Sequence, residues 1–173
     1  MTVKNKEYWL AKQQQITLKN QAFIDGNFVD ASDKDTYDTI NPATGELLVK
    51  QAACSEGDVD AAVAAARRTF ESGVWADKAP GERKAIMQKL AQLIRDNLEE
   101  LALLESLNVG KPVNDAVNID IPGSAACFDW YAEAIDKMYG EVAPTAQDSL
   151  ALIQREPVGV VAAIIPWNYP MLM

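Results

Sequence analysis

An asparagine near the end of the sequence has the side chain best suited to chemistry. Asn168 follows the apolar run VGVVAAII and lies between Pro166 and Pro170. Its amide can donate two N–H hydrogen bonds without carrying charge, which suits the oxyanion that forms when a carbonyl is attacked. From residue type and position alone, a helix cap is the preferred interpretation of Asn168, and Trp167 is more typical of packing.

Histidine and cysteine, two residue types common in nucleophilic and metal sites, are absent or rare. The sequence contains no histidine, so its own residues cannot build a Ser-His-Asp or Cys-His site. Cys54 and Cys127 are too few and too far apart for a disulfide framework or a zinc cluster, and we expect both to be buried apolar residues. No metal site is predicted.

Composition and charge narrow the class of protein. With 173 residues, 49% of them apolar and 24% charged, the chain should fold around one core. A net charge of -9 argues against nucleic acid and anionic membranes as partners. The longest apolar run, residues 158–165, is far shorter than the roughly 18 residues of a membrane span, and the opening lacks a signal-peptide core. We expect a cytoplasmic protein.

Turn residues and apolar periodicity predict mixed secondary structure. Asp25-Gly26 indicates a hairpin, and a turn at 41–45 precedes a strand at 47–49. Helices are predicted from Ser55 to Gly73 with Val59, Ala62, Val63, Ala66 and Phe70 inward, and from Pro80 with Ile86, Leu90, Leu93 and Ile94 inward. Two more are predicted from Asn97 to Gly110 with Leu98, Leu101 and Leu104 inward, and after Pro122 to Gly140 with Ala125, Phe128, Ala132, Ile135 and Tyr139 inward.

The apolar run at residues 158–165 predicts a different element. Its length and β-branched content fit a parallel strand covered by helices on both faces. Ligands of open α/β sheets bind beyond the carboxyl ends of such strands. The residues after Ile165 are therefore the candidate site.

The whole string REPVGVVAAIIPWNYP strongly resembles the aldehyde dehydrogenase superfamily. NPATGE, ERKAIMQKLAQLI, GKP and WYAEAIDKMYGEV resemble further segments of that family in the same order. The resemblance runs from Ala22 to Met173 and covers about the first third of a family member. It implies an N-terminal fragment, and the apolar end PMLM favours truncation over a complete module.

The resemblance implies an α/β fold class, namely the N-terminal part of an aldehyde dehydrogenase fold. A helical segment with small β hairpins would lead into the first strand of a doubly wound dinucleotide-binding sheet, with the catalytic domain absent. Residues 1–139 would form the N-terminal part of the cofactor-binding domain, 140–157 a strand excursion into an oligomerisation sheet, and 158–173 the first strand and its loop. The family expectation for the full-length protein is a homo-oligomer, dimer or tetramer.

The resemblance also assigns site residues and a reaction. NAD or NADP would bind against the backbone at Ile164, Ile165, Pro166 and Trp167. Asn168 would supply the oxyanion amide, and Tyr169 and Leu172 would line the aldehyde tunnel. A cysteine thiolate would attack the aldehyde and a glutamate would activate water to release the carboxylate; neither residue is in this chain, which alone should be inactive.

Other features bear on the substrate and on alternatives. DIPGSAACFDWYAEAIDKMYGEVAPT resembles most the branch that acts on γ-glutamyl-γ-aminobutyraldehyde and related ω-amino aldehydes of polyamine catabolism. The pair 108–109 departs from the acidic or threonine residue common before GKP, and Tyr169 stands where Phe is common. Two alternatives remain open: a non-catalytic binding or regulatory module that reuses the fold, and a reductase of another doubly wound family.

Overall fold

A computed structural model describes residues 4–173; residues 1–3, at the start of the predicted 1–139 unit, lie outside the described residues. The helices are α1 (Lys6–Gln13), α2 (Glu56–Glu71), α3 (Pro80–Asp96), α4 (Leu98–Val109), the short α5 (Val113–Asp115) and α6 (Ile121–Ala134). A π-helical turn at Ala116–Asp120 joins α5 to α6, and a 3-10 turn at Ile135–Lys137 follows. The strands are β1 (Ala22–Ile24), β2 (Asn27–Val29), β3 (Thr36–Ile40), β4 (Leu47–Ala52), β5 (Glu141–Ala143) and β6 (Ala151–Ile153).

The six strands form three separate antiparallel hairpins. The predicted Asp25-Gly26 hairpin is confirmed, with Ile24 paired to Asn27. Asp25 and Gly26 both have positive φ, 52° and 77°, the backbone that a two-residue turn between twisted strands requires. The strand predicted at 47–49 is also confirmed, as part of β4.

A carboxylate fixes the predicted start of α2. Asp58 Oδ2 accepts hydrogen bonds from the backbone N–H of Ser55 at 2.8 Å and from Ser55 Oγ at 3.0 Å. The backbone N–H of Ser32 donates to both oxygens of the same carboxylate at 3.2 Å. Asp58 therefore caps α2 and attaches it to the loop after β2. The hydrogen bond from Ser55 N–H is the main reason that the pKa of Asp58 is lowered.

Small side chains let the helices approach closely at the core. Ala91, Ala102, Ala116 and Ala125 are completely buried between α3, α4, the π turn and α6. At the end of α4, Gly110 has φ 80°, and a Cβ atom there would lie 2.8 Å from the Pro42 ring. Glycine at this position thus ends the helix as predicted and lets it contact the turn between β3 and β4.

The last long helical run begins earlier than predicted. It extends from Val113, nine residues before Pro122, which lies inside the run at the start of α6. Pro122 has no N–H to donate to the carbonyl four residues before it. Just ahead of it the chain widens into the π turn, where the Ile121 N–H bonds to the Ala116 carbonyl. The apolar periodicity of the sequence does not predict this π turn.

Several residues predicted to be buried are exposed. Cys54 and Cys127 are both at the surface, which corrects the expectation of a buried apolar role. The inward faces predicted for two helices and for the end of a third are also partly wrong. The following side chains, predicted to be buried, are exposed: Val59, Val63, Ala66, Ile86, Leu90, Leu93 and Tyr139. Ile94, Ala125 and Ala132 are buried as predicted.

None of the helices between residues 4 and 173 combines the length and apolar character that a membrane-spanning helix requires.

We expect Asp58→Asn to destabilise the chain, because the neutral amide cannot reproduce the charged cap. Since the pKa of Asp58 is lowered in the folded state, its stabilisation is present above the ordinary aspartate pKa of 3.8 and is lost as the pH falls. Urea unfolding should give a lower midpoint for the variant at neutral pH and a smaller difference in acid. Asp60→Asn, on the same helix, is the matched control; an equal loss there would contradict this role of Asp58.

Candidate functional site

The run predicted as a parallel strand is unpaired. Residues 158–165 form no ladder hydrogen bonds, because a parallel strand needs a neighbour and each described hairpin pairs only within itself. Val158 is 93% and Ile164 100% exposed. Gly159 lies beside Arg67, since a Cβ on this glycine would be 3.6 Å from Arg67 Nη1. The run therefore passes α2 with its apolar side chains uncovered.

The chain turns immediately after this run. Residues 167–172 form consecutive turns, and the Met173 N–H donates to the Tyr169 carbonyl at 3.1 Å. Tyr169, not Asn168, therefore accepts the first bond of this helical turn, with Pro170 following as expected for a helix start. The Asn168 side chain is exposed and makes no hydrogen bond within residues 4–173, so the helix-cap interpretation finds no support.

Three contacts attach the last five residues to the helices and to the loop after α4. Met171 packs against the core cluster of α3, α4 and α6. A Leu172 methyl group lies close to Gly123, where an added Cβ would be 3.3 Å from it. The ring centroid of Tyr169 lies 4.0 Å from Nζ of Lys111. The turn carrying Asn168 is therefore fixed on its C-terminal side.

Lys111 is itself held by two buried carboxylates. Its Nζ donates to Asp120 Oδ2 at 2.6 Å and to Glu105 Oε1 at 3.2 Å. The exposed fractions are 15% for the Lys111 side chain, 3% for Glu105 and 2% for Asp120. Ser106 Oγ donates to the Lys111 carbonyl at 2.8 Å and fixes the backbone beside it. We call Glu105, Lys111 and Asp120 the buried ion cluster.

Charge balance in the buried ion cluster shifts two pKa values. Burial and the neighbouring Asp120 raise the pKa of Glu105 and outweigh the hydrogen bond from Lys111. Burial alone would lower the pKa of Lys111, but its hydrogen bonds to Asp120 and Glu105 raise it, so the ammonium stays charged. Glu105 is the member that resists ionisation.

A pocket of about 400 Å³ opens next to the buried ion cluster. It is mainly apolar and is lined by Leu101, Leu104, Glu105, Asn108, Pro170 and Met171. Glu105 Oε2 is buried and has no hydrogen-bond partner in the described chain. Among residues 4–173, no group of three or more His, Cys, Asp or Glu side chains is arranged to hold a metal ion.

The predicted site residues divide into two groups. Ile164, Ile165, Pro166, Trp167 and Asn168 form one continuous exposed stretch, whereas Tyr169, also exposed, contacts Lys111 in the loop between α4 and α5, and Leu172 contacts α6. Sequence reasoning missed the buried ion cluster. Its only local signal is the string GKP, which contains Lys111; the two carboxylates lie 6 and 9 residues from that lysine.

Comparison with known proteins identifies the family. Residues 28–173 match the Aldehyde dehydrogenase family. The chain belongs to the aldehyde dehydrogenase family. This match confirms the resemblance to the family and the fold class inferred from that resemblance. The strand expected at residues 158–165 differs from that fold class, because these residues are unpaired in this structure.

Individual relatives agree with this assignment. The chain is 48% identical to the NADP/NAD-dependent aldehyde dehydrogenase PuuC of Escherichia coli K12 over 96% of its own length and 34% of the relative. It is similar to the crystal structure of γ-glutamyl-γ-aminobutyraldehyde dehydrogenase from Burkholderia cenocepacia, with a TM-score of 0.93, 50% identity, and coverage of 96% of this chain and 34% of that one. A mutant P. syringae indole-3-acetaldehyde dehydrogenase in complex with NAD⁺ and IAA gives a TM-score of 0.93 at 49% identity, over 95% and 33% of the two chains.

This aldehyde dehydrogenase chain spans about a third of the length of the relatives that it matches. The described helices and hairpins therefore correspond to one part of those enzymes.

We expect the free energy of unfolding of the Glu105→Gln variant, relative to that of wild type, to increase as the pH rises. In the wild-type fold the pKa of Glu105 lies above the ordinary value of 4.5, so the folded protein retains a proton that the unfolded chain releases. In urea unfolding, wild-type stability relative to the glutamine variant should fall as the pH rises above the ordinary glutamate pKa of 4.5.

Glu99→Gln is the control with the opposite sign. The hydrogen bond that Tyr8 donates at 2.5 Å lowers the pKa of Glu99. This carboxylate therefore stabilises the fold at pH values above its ordinary pKa of 4.5, and the stabilisation is lost as the pH falls. A pH-independent difference between wild type and Glu105→Gln would contradict the assigned electrostatics of the buried ion cluster.

Proposed function

We propose that this chain supplies the cofactor-contacting and oxyanion-binding part of an NAD(P)-dependent aldehyde dehydrogenase that oxidises an aldehyde to a carboxylate. The observation that carries the proposal is the pairing of family membership with the free Asn168 amide on a turn anchored to the helices. The relative PuuC is named as NADP/NAD-dependent, which supports the cofactor assignment.

Asn168 is the proposed catalytic residue of this chain. Its side-chain N–H groups would donate to the oxygen of the aldehyde as a cysteine thiolate attacks the carbonyl carbon and the C=O π electrons move onto that oxygen. An exposed amide with no competing partner in the described chain fits this role, since it requires no existing bond to break. We propose that the cysteine and the water-activating glutamate belong to a part of the enzyme outside these 173 residues.

The cofactor surface is proposed to be the exposed stretch from Ile164 to Trp167. The fully exposed Ile164 and the largely exposed Trp167 offer apolar surface, and no charged residue lies within the stretch to repel a phosphate. NAD⁺ or NADP⁺ would supply the hydride acceptor. The stretch from Ile164 to Trp167 would hold a dinucleotide through apolar contacts and through hydrogen bonds of its backbone groups.

An ω-amino aldehyde is the proposed substrate class. The similarity to γ-glutamyl-γ-aminobutyraldehyde dehydrogenase at 50% identity supports this choice. Tyr169 and Leu172 are the residues proposed to line the aldehyde tunnel. Leu172 lies against Gly123 of α6, and Tyr169 lies over Lys111 in the loop between α4 and α5; these contacts would give the tunnel a rigid wall.

The hairpin formed by β5 and β6 is proposed to join an oligomerisation sheet. Its side chains Val142 and Leu152 are 67% and 66% exposed, and a two-stranded hairpin leaves both outer edges without strand partners. A dimer or tetramer of the full-length enzyme would cover these edges. The boundaries proposed for the units remain 1–139, 140–157 and 158–173.

Asn168→Ala should lower kcat by about 10²- to 10³-fold, the range for loss of one oxyanion donor. The protein should be expressed from the natural open reading frame and assayed with an ω-amino aldehyde and NAD⁺. The KM for NAD⁺ should change little, because the amide acts on the reacting oxygen. Asn27→Ala, in the first hairpin, is the matched control; kcat within twofold of wild type for Asn168→Ala would refute the oxyanion role.

The two cysteines of this chain should be dispensable for aldehyde oxidation. Cys54 lies in the loop before α2 and Cys127 on α6, and neither is proposed to be the nucleophile. The double variant Cys54→Ser, Cys127→Ser of the enzyme should keep wild-type kcat, and the mass-verified 173-residue chain alone should oxidise no aldehyde above the blank. Aldehyde oxidation by the isolated chain would refute the proposed location of the nucleophile. Loss of aldehyde oxidation in the double variant of the enzyme would refute it as well.

A further inference from the structure

The ammonium group of Lys111 faces an aromatic ring as well as two carboxylates. An ammonium has three N–H donors, and those to Asp120 and Glu105 account for two of them. The Tyr169 ring centroid lies 4.0 Å from the same nitrogen. Because the lysine side chain is only 15% exposed, water competes weakly for the remaining charge, and cation–π attraction is strongest under such conditions.

The lysine cannot easily move to follow the ring. Its two carboxylate partners lie on α4 and at the end of the π turn, and its backbone carbonyl is fixed by Ser106 Oγ at 2.8 Å. Contacts with α4 and with the π turn thus fix the position of the ammonium. Tyr169, by contrast, belongs to a turn that follows an unpaired stretch of chain.

Tyr169 is the residue directly after Asn168. Pro166, two residues before Asn168, has a φ angle restricted by its ring. Fixing the Tyr169 ring therefore limits the backbone on the other side of the amide. Met171 and Leu172 also attach the turn, but through apolar contacts that specify a location more than an orientation.

We propose that Lys111 is a positioning residue, which holds the Tyr169 ring and thereby orients the Asn168 amide toward the oxyanion. This inference rests on the proposed role of Asn168. The lysine touches neither substrate nor cofactor in this account; it acts through Tyr169. A purely structural lysine would need only its carboxylates.

A double-variant cycle on kcat separates these roles. In protein from the natural open reading frame, Lys111→Met should lower kcat about tenfold or more with little change in the KM for NAD⁺, since misplacement of a catalytic group is costly. Lys111→Arg keeps the charge near the ring and should recover most of kcat. In an Asn168→Ala background, Lys111→Met should change kcat less than twofold. Multiplicative effects of the two substitutions would overturn the proposal.

A second pair of variants leaves the buried ion cluster intact. Tyr169→Phe keeps an aromatic ring, and Tyr169→Leu removes the ring while keeping an apolar side chain. In hydrogen–deuterium exchange, the Met173 amide, which donates to the Tyr169 carbonyl at 3.1 Å, should exchange about tenfold faster in the leucine variant than in the phenylalanine variant, with α4 unchanged. Equal exchange would overturn the proposal even if Lys111→Met fails to fold.

The two readouts also separate this inference from the proposed function. If Asn168→Ala leaves kcat unchanged, the oxyanion role fails, and orientation of an oxyanion donor by Lys111 fails with it. If Asn168→Ala lowers kcat but Lys111→Met acts independently of it, the positioning role alone fails.

Discussion

Burial of the Lys111 ammonium is the constraint on which the arrangement depends. A buried charge is tolerated only when it is paired, and removal of one partner leaves the others uncompensated. Glu105 and Asp120 meet this requirement from α4 and from the π turn, so both elements must keep their register. The same ammonium attracts Tyr169 and connects the helical layer to the end of the described chain.

This connection explains how an exposed polar residue can have a defined place. The stretch before it is unpaired and largely exposed, whereas Met171 and Leu172 contact helices and Tyr169 contacts Lys111 in the loop after α4. Asn168 lies at the junction of these two parts. An amide at this junction is accessible to a substrate while its backbone is held from one side, which suits a preorganised hydrogen-bond donor.

Local signals in the sequence predicted much of the fold. Asp25-Gly26, the Ser55 and Asp58 pair, and Gly110 act within a few residues, and the structure places a turn, a helix start and a helix end there. The buried ion cluster and the π turn were not predictable, because they depend on which helix faces lie together. The exposed faces of α2 and α3, and the unpaired run at 158–165, differ from prediction for a related reason. Apolar periodicity marks a face for burial without saying which element covers it.

The most direct test of the account is a crystal structure of the enzyme from its natural open reading frame, trapped with an aldehyde-derived thiohemiacetal. We expect Asn168 Nδ2 to lie about 2.7–3.1 Å from the thiohemiacetal oxygen. The Tyr169 ring should remain over the Lys111 ammonium, and the attacking sulfur should belong to neither Cys54 nor Cys127. An Asn168 side chain turned away from that oxygen, with other groups donating to it, would contradict the role of Asn168 as oxyanion donor.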